Sequence, residues 1–409
     1  MKLYIDPGTG SMLFTVLIGL LGTGVYFLRN VFMKLRFLAS GGARDKSVSE
    51  NRMPYVIFAD HKRYWNTFEP ICDEFERRGE DLTYMTASPD DPALQKPYRH
   101  VKCQFIGQGN RAFAKLNFLH ADILLSTTPS LDVFQWKRSK DVKWYVHVLH
   151  APSDPVLYRM FGLDYYDAVL LSGAYQIQQQ RALEQARHLP PKELTLIGLP
   201  YMDALKARLD AAPPLPAHPT TVLLAPSWGS NGILSRYGGK VIQALLDTGF
   251  HVIVRPHPQS FTAEAELMDR LMKQFPDGDA LEWNRDNDNF EVLRRSDIMI
   301  SDFSGVIFDY ALVFQKPVIY ADTSFDRSPY DAWWLEDELW TFTTLSKIGR
   351  ALKEEQFGQL RAIIDEMVNS EQYRSALEEA RDETWVNIGR SASLVADYMM
   401  EKAHELADE

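Results

Sequence analysis

Three apolar runs in the second half of the chain each end in side chains that suit an anionic ligand. VLLAPSWG, HVIVRPHPQS and IMISDFSGV each pass from a strand-like segment into a polar loop that precedes a helical pattern. Such loops offer unpaired N–H groups and a favourable helix dipole to phosphate. The pattern therefore predicts a phosphate site built from these loops. Its candidate residues are Ser227, Trp228, Arg255, His257, Ser301, Asp302, Ser304 and Gly305.

Each of these side chains also has a structural interpretation. A serine such as Ser301 or Ser304 commonly caps a helix, and Asp302 suits a cap or a turn. The prolines on both sides of His257 restrict the backbone, which is typical of a rigid turn. The convergence of three such strand ends favours a site over unrelated caps. Asp309 follows the last loop, and we expect it to make a structural hydrogen bond one or two turns into the next helix.

Two polar segments in the first half are candidates for the second substrate. YVHVLHAPSDP places His150 where a strand-like run passes into a turn. Histidine titrates near neutral pH and can act as a general base, although a hydrogen-bonded turn histidine is an equal alternative. FADHKRYWN places His61, Lys62 and Tyr64 after the first strand. These three side chains either hold an anionic acceptor or belong to a solvated loop.

Several function classes lack their signatures in this chain. The sequence contains no P-loop, no GxGxxG opening a first βα unit, no HExxH and no GxSxG. We therefore predict no metal site and no cofactor. The net charge of −11 argues against a general nucleic-acid binder. Cys72 and Cys103 fit no metal-ligand spacing and are interpreted as reduced thiols.

The elements that position these residues alternate between strand-like and helix-like segments. Short apolar runs separated by helical patterns indicate βαβ units and parallel sheets. One series occupies residues 54–210 and a second occupies 220–375, and the four prolines within 211–219 mark a hinge between them. A charged helical pattern ends the chain at 376–409. The fold class is therefore α/β, with two facing doubly wound domains and ligands at the carboxyl ends of the strands.

The N-terminus is unlike the rest of the chain. Residues 11–28 are uncharged and strongly apolar, and basic residues follow between positions 29 and 36. A stretch of this length is at the short end of what crosses a bilayer, and the basic flank places the C-terminal side in the cytoplasm. Residues 1–38 are thus predicted to be a membrane anchor with a basic flank, and 39–53 a polar linker. The alternative is a hydrophobic helix that docks without spanning.

The second-half motifs resemble those of a known family. VIVRPHPQS followed by IMISDFSGVIFDYALVFQKPVIYAD is similar to the paired motifs of the CDP-glycerol glycerophosphotransferase family, the teichoic-acid-type polyol-phosphate transferases. The resemblance extends upstream through HVLHAPSD and covers residues 55–375. Gly305 stands where many members have a serine, and HAPSDP replaces the HGTPLK that is common among the polymerases.

The resemblance implies a GT-B-like architecture with the nucleotide held by the C-terminal domain. By this resemblance the pyrophosphate is held by His257, Ser301, Asp302 and Ser304, and His150 deprotonates the acceptor hydroxyl. The acceptor oxygen then displaces CMP at the β-phosphorus, a step that depends on positioning and charge stabilisation. Arg255 is added as a counter-charge on chemical grounds.

The expected function is that of an enzyme at the inner (cytoplasmic) membrane, with its catalytic domains in the cytoplasm. It is expected to move glycerol phosphate, or a similar polyol phosphate, from a CDP-activated donor to a surface-glycan or lipid-linked acceptor. Two alternatives are a GT-B glycosyltransferase that uses a nucleotide sugar and a non-catalytic membrane-tethered scaffold for glycan assembly. The sequence leaves open the acceptor, the polyol, the number of transfers and the oligomeric state.

Overall fold

The first half of the chain forms a seven-stranded parallel sheet. A computed structural model describes residues 52–286, 288–302, 304–321 and 326–408. The strands are β1 Met53–Ala59, β2 Leu82–Thr86, β3 Val101–Phe105, β4 Ala121–Ser126, β5 Val142–Val148, β6 Ala168–Leu171 and β7 Glu193–Leu196. They lie in the order β3-β2-β1-β4-β5-β6-β7, and every neighbouring pair is parallel.

The second half repeats this arrangement with six strands. They are β8 Thr221–Ala225, β9 His251–Val254, β10 Leu281–Trp283, β11 Ile298–Ser301, β12 Val318–Ala321 and β13 Gly349–Leu352. The order is β10-β9-β8-β11-β12-β13, again parallel throughout. Both sheets reverse their strand order next to the first strand of each series, between β1 and β4 and between β8 and β11. Open α/β sheets bind ligands at such switch points.

The composition of the strands explains this arrangement. Every residue of β8 and of β11 is buried, as expected for parallel strands that helices cover on both faces. The two edge strands β10 and β13 were not predicted from the sequence, because each is only three or four residues long and only partly buried.

Helices lie on both faces of each sheet. In the first half they are α1 Trp65–Arg78, α2 Asn110–Leu116, α3 Ala174–Ala186 and α4 Pro200–Ala211. In the second half they are α5 Ile233–Tyr237, α6 Gly239–Leu246, α7 Ser260–Ala263, α8 Ala265–Gln274, α9 Phe290–Arg295, α10 Val306–Phe308, α11 Trp340–Ile348, α12 Leu360–Val368, α13 Glu371–Thr384 and α14 Ser391–Asp408. A π-helical turn, Asp309–Val313, continues α10.

The C-terminal region differs from the single helix expected over 376–409. It contains the end of α13 and the whole of α14, because Asn387 and Gly389 adopt positive φ values of 57° and 78° between them. The last helix then packs back onto the first sheet, where Val395 and Met399 join the core around Ile57.

Two buried aspartates connect the halves. Asp331 accepts hydrogen bonds from the amides of Phe161 and Gly162, at 2.9 and 3.0 Å. Asp154 accepts them from the amides of Trp340 and Thr341, at 2.7 and 2.9 Å. These bonds hold the first half of the chain against the second.

The predicted membrane anchor at residues 11–28, with its flank to 38 and the linker that follows it, lies outside the described residues. Among the helices that the structure does describe, none combines the length and the apolar character needed to cross a bilayer.

Candidate active site

A cleft of about 1290 Å³ separates the carboxyl ends of the two sheets and is lined by residues from both halves. Five of the residues predicted from the sequence line it: Tyr64, His150, Arg255, His257 and Gly305. Arg63, from the segment FADHKRYWN, also lines it. So do residues that the sequence did not single out as site residues, among them Tyr201, Arg208, Asp288 and Asp309.

His150 follows β5 and points one ring nitrogen away from the cleft. Its Nδ1 lies 2.8 Å from the Thr127 hydroxyl, and the Tyr158 hydroxyl lies 3.4 Å from the same nitrogen. Burial, together with the nearby charge of Arg63, lowers the pKa of His150 to about 4. The imidazole is therefore neutral at pH 7, and Nε2 is the nitrogen left for a substrate. A neutral, oriented imidazole is what a general base requires.

Tyr158 also contacts the second histidine of this strand. Its hydroxyl lies 3.0 Å from Nε2 of His147, and the two rings meet edge to face. His147 is completely buried, and this burial lowers its pKa well below the usual range. His147 thus packs in the core behind the cleft, and the Tyr158 hydroxyl lies between it and His150.

In the loop after β1, Arg63 and Tyr64 line the cleft. Tyr64 is buried, with its ring centroid 4.7 Å from that of His150. Arg63 donates to the Tyr64 hydroxyl at 2.9 Å and carries a positive charge into the cleft. His61 and Lys62 do not line it. His61 accepts the Arg63 amide at 3.1 Å, and Lys62 is ion-paired with Asp90. Of the three residues expected on the acceptor side, only Tyr64 therefore lines the cleft, and its contact with an acceptor stays a prediction.

Ser301 and Asp302 are buried beneath the second-half loops. Ser301 is fully buried, and its hydroxyl donates to the carbonyl of Ala225 at 2.6 Å. Asp302 is 2% exposed and accepts the amides of Ser227 and Ile233, at 2.9 and 3.1 Å. The Ser227 hydroxyl donates to the same carboxylate. This corrects the expectation that Ser301 and Asp302 contact the donor directly, because their polar atoms are already bonded to the protein.

His257 and Arg255 come from the loop after β9, and both line the cleft. The His257 ring accepts the Gln259 amide at Nδ1, at 3.1 Å. Because burial lowers the pKa of His257, the ring is neutral and its proton must lie on Nε2. His257 is thus arranged as a hydrogen-bond donor to a ligand. The Arg255 guanidinium is half-buried and donates to Asn284, which leaves its charge facing the same space.

Ser304 and Gly305 form the first turn before α10. Gly305 is exposed and lines the cleft, and Ser304 is half-buried. A side chain built at Gly305 would meet no atom within 4 Å. Its φ of −56° is also open to any residue. Nothing in the packing therefore requires glycine at this position.

Trp228 and Ser227 occupy the loop after β8, and neither lines the cleft. The Trp228 side chain is 52% exposed, while Ser227 is committed to Asp302. Donor contact by these two residues stays a prediction, which needs this loop to close over the ligand.

Asp309 is one turn into the helix, as expected, and it makes the expected hydrogen bond, to Tyr201 at 2.6 Å. It also lines the cleft, which was not expected. Arg208, on the same helix as Tyr201, forms an ion pair with Asp288 at 2.5 Å. Asp309, Tyr201 and Arg208 lie on helices rather than at strand ends, so no local pattern in the sequence singled them out as site residues.

The acidic residues near β10 have DxD spacing but are bonded to the protein. Asp286 accepts a hydrogen bond from Asn284 at 2.9 Å, and Asp288 is paired with Arg208. Within the part of the chain that the structure describes, no group of three or more His, Cys, Asp or Glu side chains is placed to hold a metal ion.

A family comparison decides what kind of protein has this cleft. The sequence matches the family model of CDP-glycerol:poly(glycerophosphate) glycerophosphotransferases over residues 164–397, which is more than half of the chain. The chain belongs to that family. Membership confirms the resemblance read from the paired motifs and makes the chain a CDP-glycerol glycerophosphotransferase-like enzyme. A search of curated proteins found no significant sequence match.

Solved structures share the architecture at low identity. A variant of the wall teichoic acid polymerase TagF soaked with CDPG superposes with a TM-score of 0.57 and 14% identity, covering 94% of this chain and 99% of that chain. A UDP-GlcNAc 2-epimerase from Neisseria meningitidis bound to UDP-GlcNAc gives a TM-score of 0.55 and 11% identity, covering 86% and 100%. These similarities show that the chain shares their fold. The fold alone does not choose between CDP and UDP donors.

Proposed function

We propose that this protein transfers glycerol phosphate from CDP-glycerol to a hydroxyl of a lipid-linked glycan at a membrane surface, releasing CMP. Family membership supports the donor and a glycan acceptor. The observation that carries the proposal is the neutral His150, which lies in the same cleft as His257, Arg255 and Gly305. A base on one wall and phosphate-binding groups on the other are what this transfer needs.

The first step is removal of the acceptor proton. For Nε2 of His150 to accept it, Nδ1 must carry the ring hydrogen and donate it to the Thr127 hydroxyl, at 2.8 Å. The acceptor oxygen then attacks the β-phosphorus of CDP-glycerol. The bond from that phosphorus to the bridging oxygen breaks, CMP leaves with the electron pair, and the proton stays on Nε2. Atoms and charge balance without a further reactant.

The second wall stabilises the charge that develops on the phosphoryl oxygens. Arg255 supplies a cation, the Nε2–H of His257 donates a hydrogen bond, and the backbone at Gly305 offers its N–H. Arg63 adds a cation from the first half. A bound diphosphate also brings negative charge towards His150, which raises its basicity when the acceptor is in place.

The experiment is CMP release from CDP-glycerol in the presence of lipid-linked glycan acceptors. His150→Asn should lower the rate at least a hundredfold, whereas His188→Asn should leave it unchanged. His188 is a fair control because it is exposed and has a φ of 53°, a conformation that asparagine tolerates. Absence of CMP release by the folded wild-type protein with every acceptor would overturn the proposal.

A nucleotide-sugar donor is the competing candidate, which the similar fold of the epimerase bound to UDP-GlcNAc keeps open. Calorimetry with CDP and UDP separates the two. Tighter binding of CDP supports the glycerophosphotransferase, and tighter binding of UDP supports the glycosyltransferase.

The membrane part of the proposal rests on the apolar segment at 11–28. We place the enzyme at the cytoplasmic face of the inner membrane, where lipid-linked acceptors are presented. The full chain should float with lipid vesicles, and a chain that lacks residues 1–38 should remain at the bottom of the gradient. Equal flotation of the two proteins would show that residues 1–38 do not bind the protein to the membrane.

A further inference from the structure

Tyr201 and Asp309 form a hydrogen-bonded pair inside the cleft that the transfer chemistry above does not use. Tyr201 lies at the start of α4, and Asp309 lies in the π-helical turn that follows α10. The tyrosine hydroxyl donates to Oδ1 of the aspartate at 2.6 Å. Both residues line the same cavity as His150 and His257. π-Helical turns within helices are frequently found at functional sites.

The bond leaves acceptor capacity on both partners. A tyrosine hydroxyl has one hydrogen, which here is given to Asp309, so its oxygen can still accept. The aspartate retains Oδ2 as a further acceptor. Burial raises the pKa of Asp309 to about 6, so the carboxylate is ionised at pH 7.5 and accepts hydrogen bonds without donating any. The pair therefore presents acceptors only.

Acceptors of this kind do not suit a phosphate. A carboxylate repels a diphosphate, and Arg208, the cation nearby on α4, is already paired with Asp288. Hydroxyl groups are the matching ligand, since each brings a hydrogen to donate. Asp309 also lies one helical turn beyond Gly305, so it is beside the phosphate-facing loop rather than within it.

We propose that Tyr201 and Asp309 form the subsite that recognises the hydroxyls of a glycerol unit. This inference rests on the proposed function, and it adds the residues that select the polyol. The glycerol unit comes from one of two sources, the donor CDP-glycerol or the terminal unit of the acceptor. In either case the carboxylate accepts one hydroxyl hydrogen at Oδ2, and the Tyr201 oxygen accepts a neighbouring one.

The test is a set of binding and kinetic measurements on Asp309→Asn and Tyr201→Phe. Calorimetry without acceptor gives the Kd of CDP-glycerol and of CDP, and steady-state rates give the KM of the acceptor. For a donor subsite, Asp309→Asn weakens CDP-glycerol about tenfold or more and changes CDP less than twofold. For an acceptor subsite, both nucleotide affinities stay constant and the acceptor KM rises by a similar factor. Tyr201→Phe should raise the same constant, the Kd of CDP-glycerol or the KM of the acceptor, by a smaller factor.

Asp210→Asn is the matched control, because Asp210 lies on the same helix, is exposed and is bonded to Lys206. It should alter none of these quantities. The inference is overturned if Asp309→Asn weakens CDP and CDP-glycerol equally, or if it changes neither the nucleotide affinities nor the acceptor KM while the variant remains folded. The calorimetric arm needs no turnover, so it is read separately from the release of CMP, on which the proposed function depends.

Discussion

The Thr127 hydroxyl lies 2.8 Å from Nδ1 of His150 and determines which nitrogen of that ring faces the cleft. Thr127 is fully buried at the end of β4, next to the strand that carries His150. The orientation of the His150 ring is thus set by a residue that follows the neighbouring strand of the same sheet. Thr127 is therefore a positioning residue, because it acts through His150 and does not touch the substrate.

Thr127→Val should lower kcat about tenfold with little change in the KM for CDP-glycerol. The substitution removes the nearer hydroxyl partner of Nδ1 and so weakens the hold on the orientation of the ring. Thr127→Ser keeps the hydroxyl and should retain most of the activity. A tenfold loss in both variants would show that the methyl packing, not the hydrogen bond, is responsible.

The enzyme should lose kcat/KM through protonation of His150 only at unusually low pH. Protonation of Asp309, whose pKa is about 6, should lower kcat/KM below that pH if it binds substrate, so the profile of His150 is measured in the Asp309→Asn variant. Because the pKa of His150 is about 4, kcat/KM of that variant should stay level from pH 8 to about pH 5 and fall below that as the imidazole protonates. The fall in kcat should come at higher pH, because the bound diphosphate raises the pKa of the ring. A fall in kcat/KM of the variant near pH 6.5 would contradict the buried environment described for His150.

Stability should also fall on the acid side, for the same reason. The folded-state pKa values of His147 and His150 lie below the unfolded value, so the unfolded chain binds more protons between about pH 6.5 and pH 4. The contribution of these residues to the free energy of unfolding is therefore present above about pH 6.5 and is lost as the pH falls towards 4. Urea titrations at pH 7.5 and pH 5 measure this loss, and His147→Gln should reduce the difference between the two.

Ser301→Ala should reduce stability and leave ligand binding nearly unchanged. The hydroxyl is fully buried and bonded to the Ala225 carbonyl, so its loss should cost about 1 kcal/mol of unfolding free energy. The Kd of CDP-glycerol should stay within about twofold, because the side chain does not reach the cleft. A much weaker Kd with unchanged stability would restore Ser301 as a direct ligand of the donor.

Gly305→Ser should fold normally and bind CDP-glycerol more tightly than Gly305→Ala does. The position has open space and an ordinary φ, so either side chain is accommodated. The serine adds one hydroxyl donor beside the backbone N–H, which is worth about 1 kcal/mol, or roughly fivefold in Kd. Equal affinity of the two variants would mean that the phosphate does not lie against this turn.

The fold was predictable where the strands are continuous buried runs. Thr221–Ala225 and Ile298–Ser301 form such strands, and the loops that follow strands predicted the edge of the sheet at which the cleft lies. The edge strand Leu281–Trp283 was not predictable, because three residues of mixed polarity are too few to show the alternating pattern of a strand. The break at Asn387 depends on a positive φ, which the charged helical pattern around it conceals.

The site was predictable in part, for a related reason. His150 and His257 follow strands directly, so the topology of a parallel sheet brings them to one edge. Tyr201 and Asp309 meet only through the packing of two helices that are distant in sequence, and no local pattern indicates that contact. Ser301 and Asp302 have the residue types of a ligand site, but the sequence does not show that neighbouring loops use up their hydrogen-bonding capacity.

The proposed transfer between the two walls of the cleft is tested most directly by a crystal structure of the His150→Asn protein with CDP-glycerol bound. We expect a pyrophosphate within hydrogen-bonding distance of Nε2 of His257 and the amide of Gly305, with the β-phosphorus facing the side chain at position 150. Nucleotide bound outside this cleft, or a β-phosphorus turned away from position 150, would refute the roles proposed for His150 and His257.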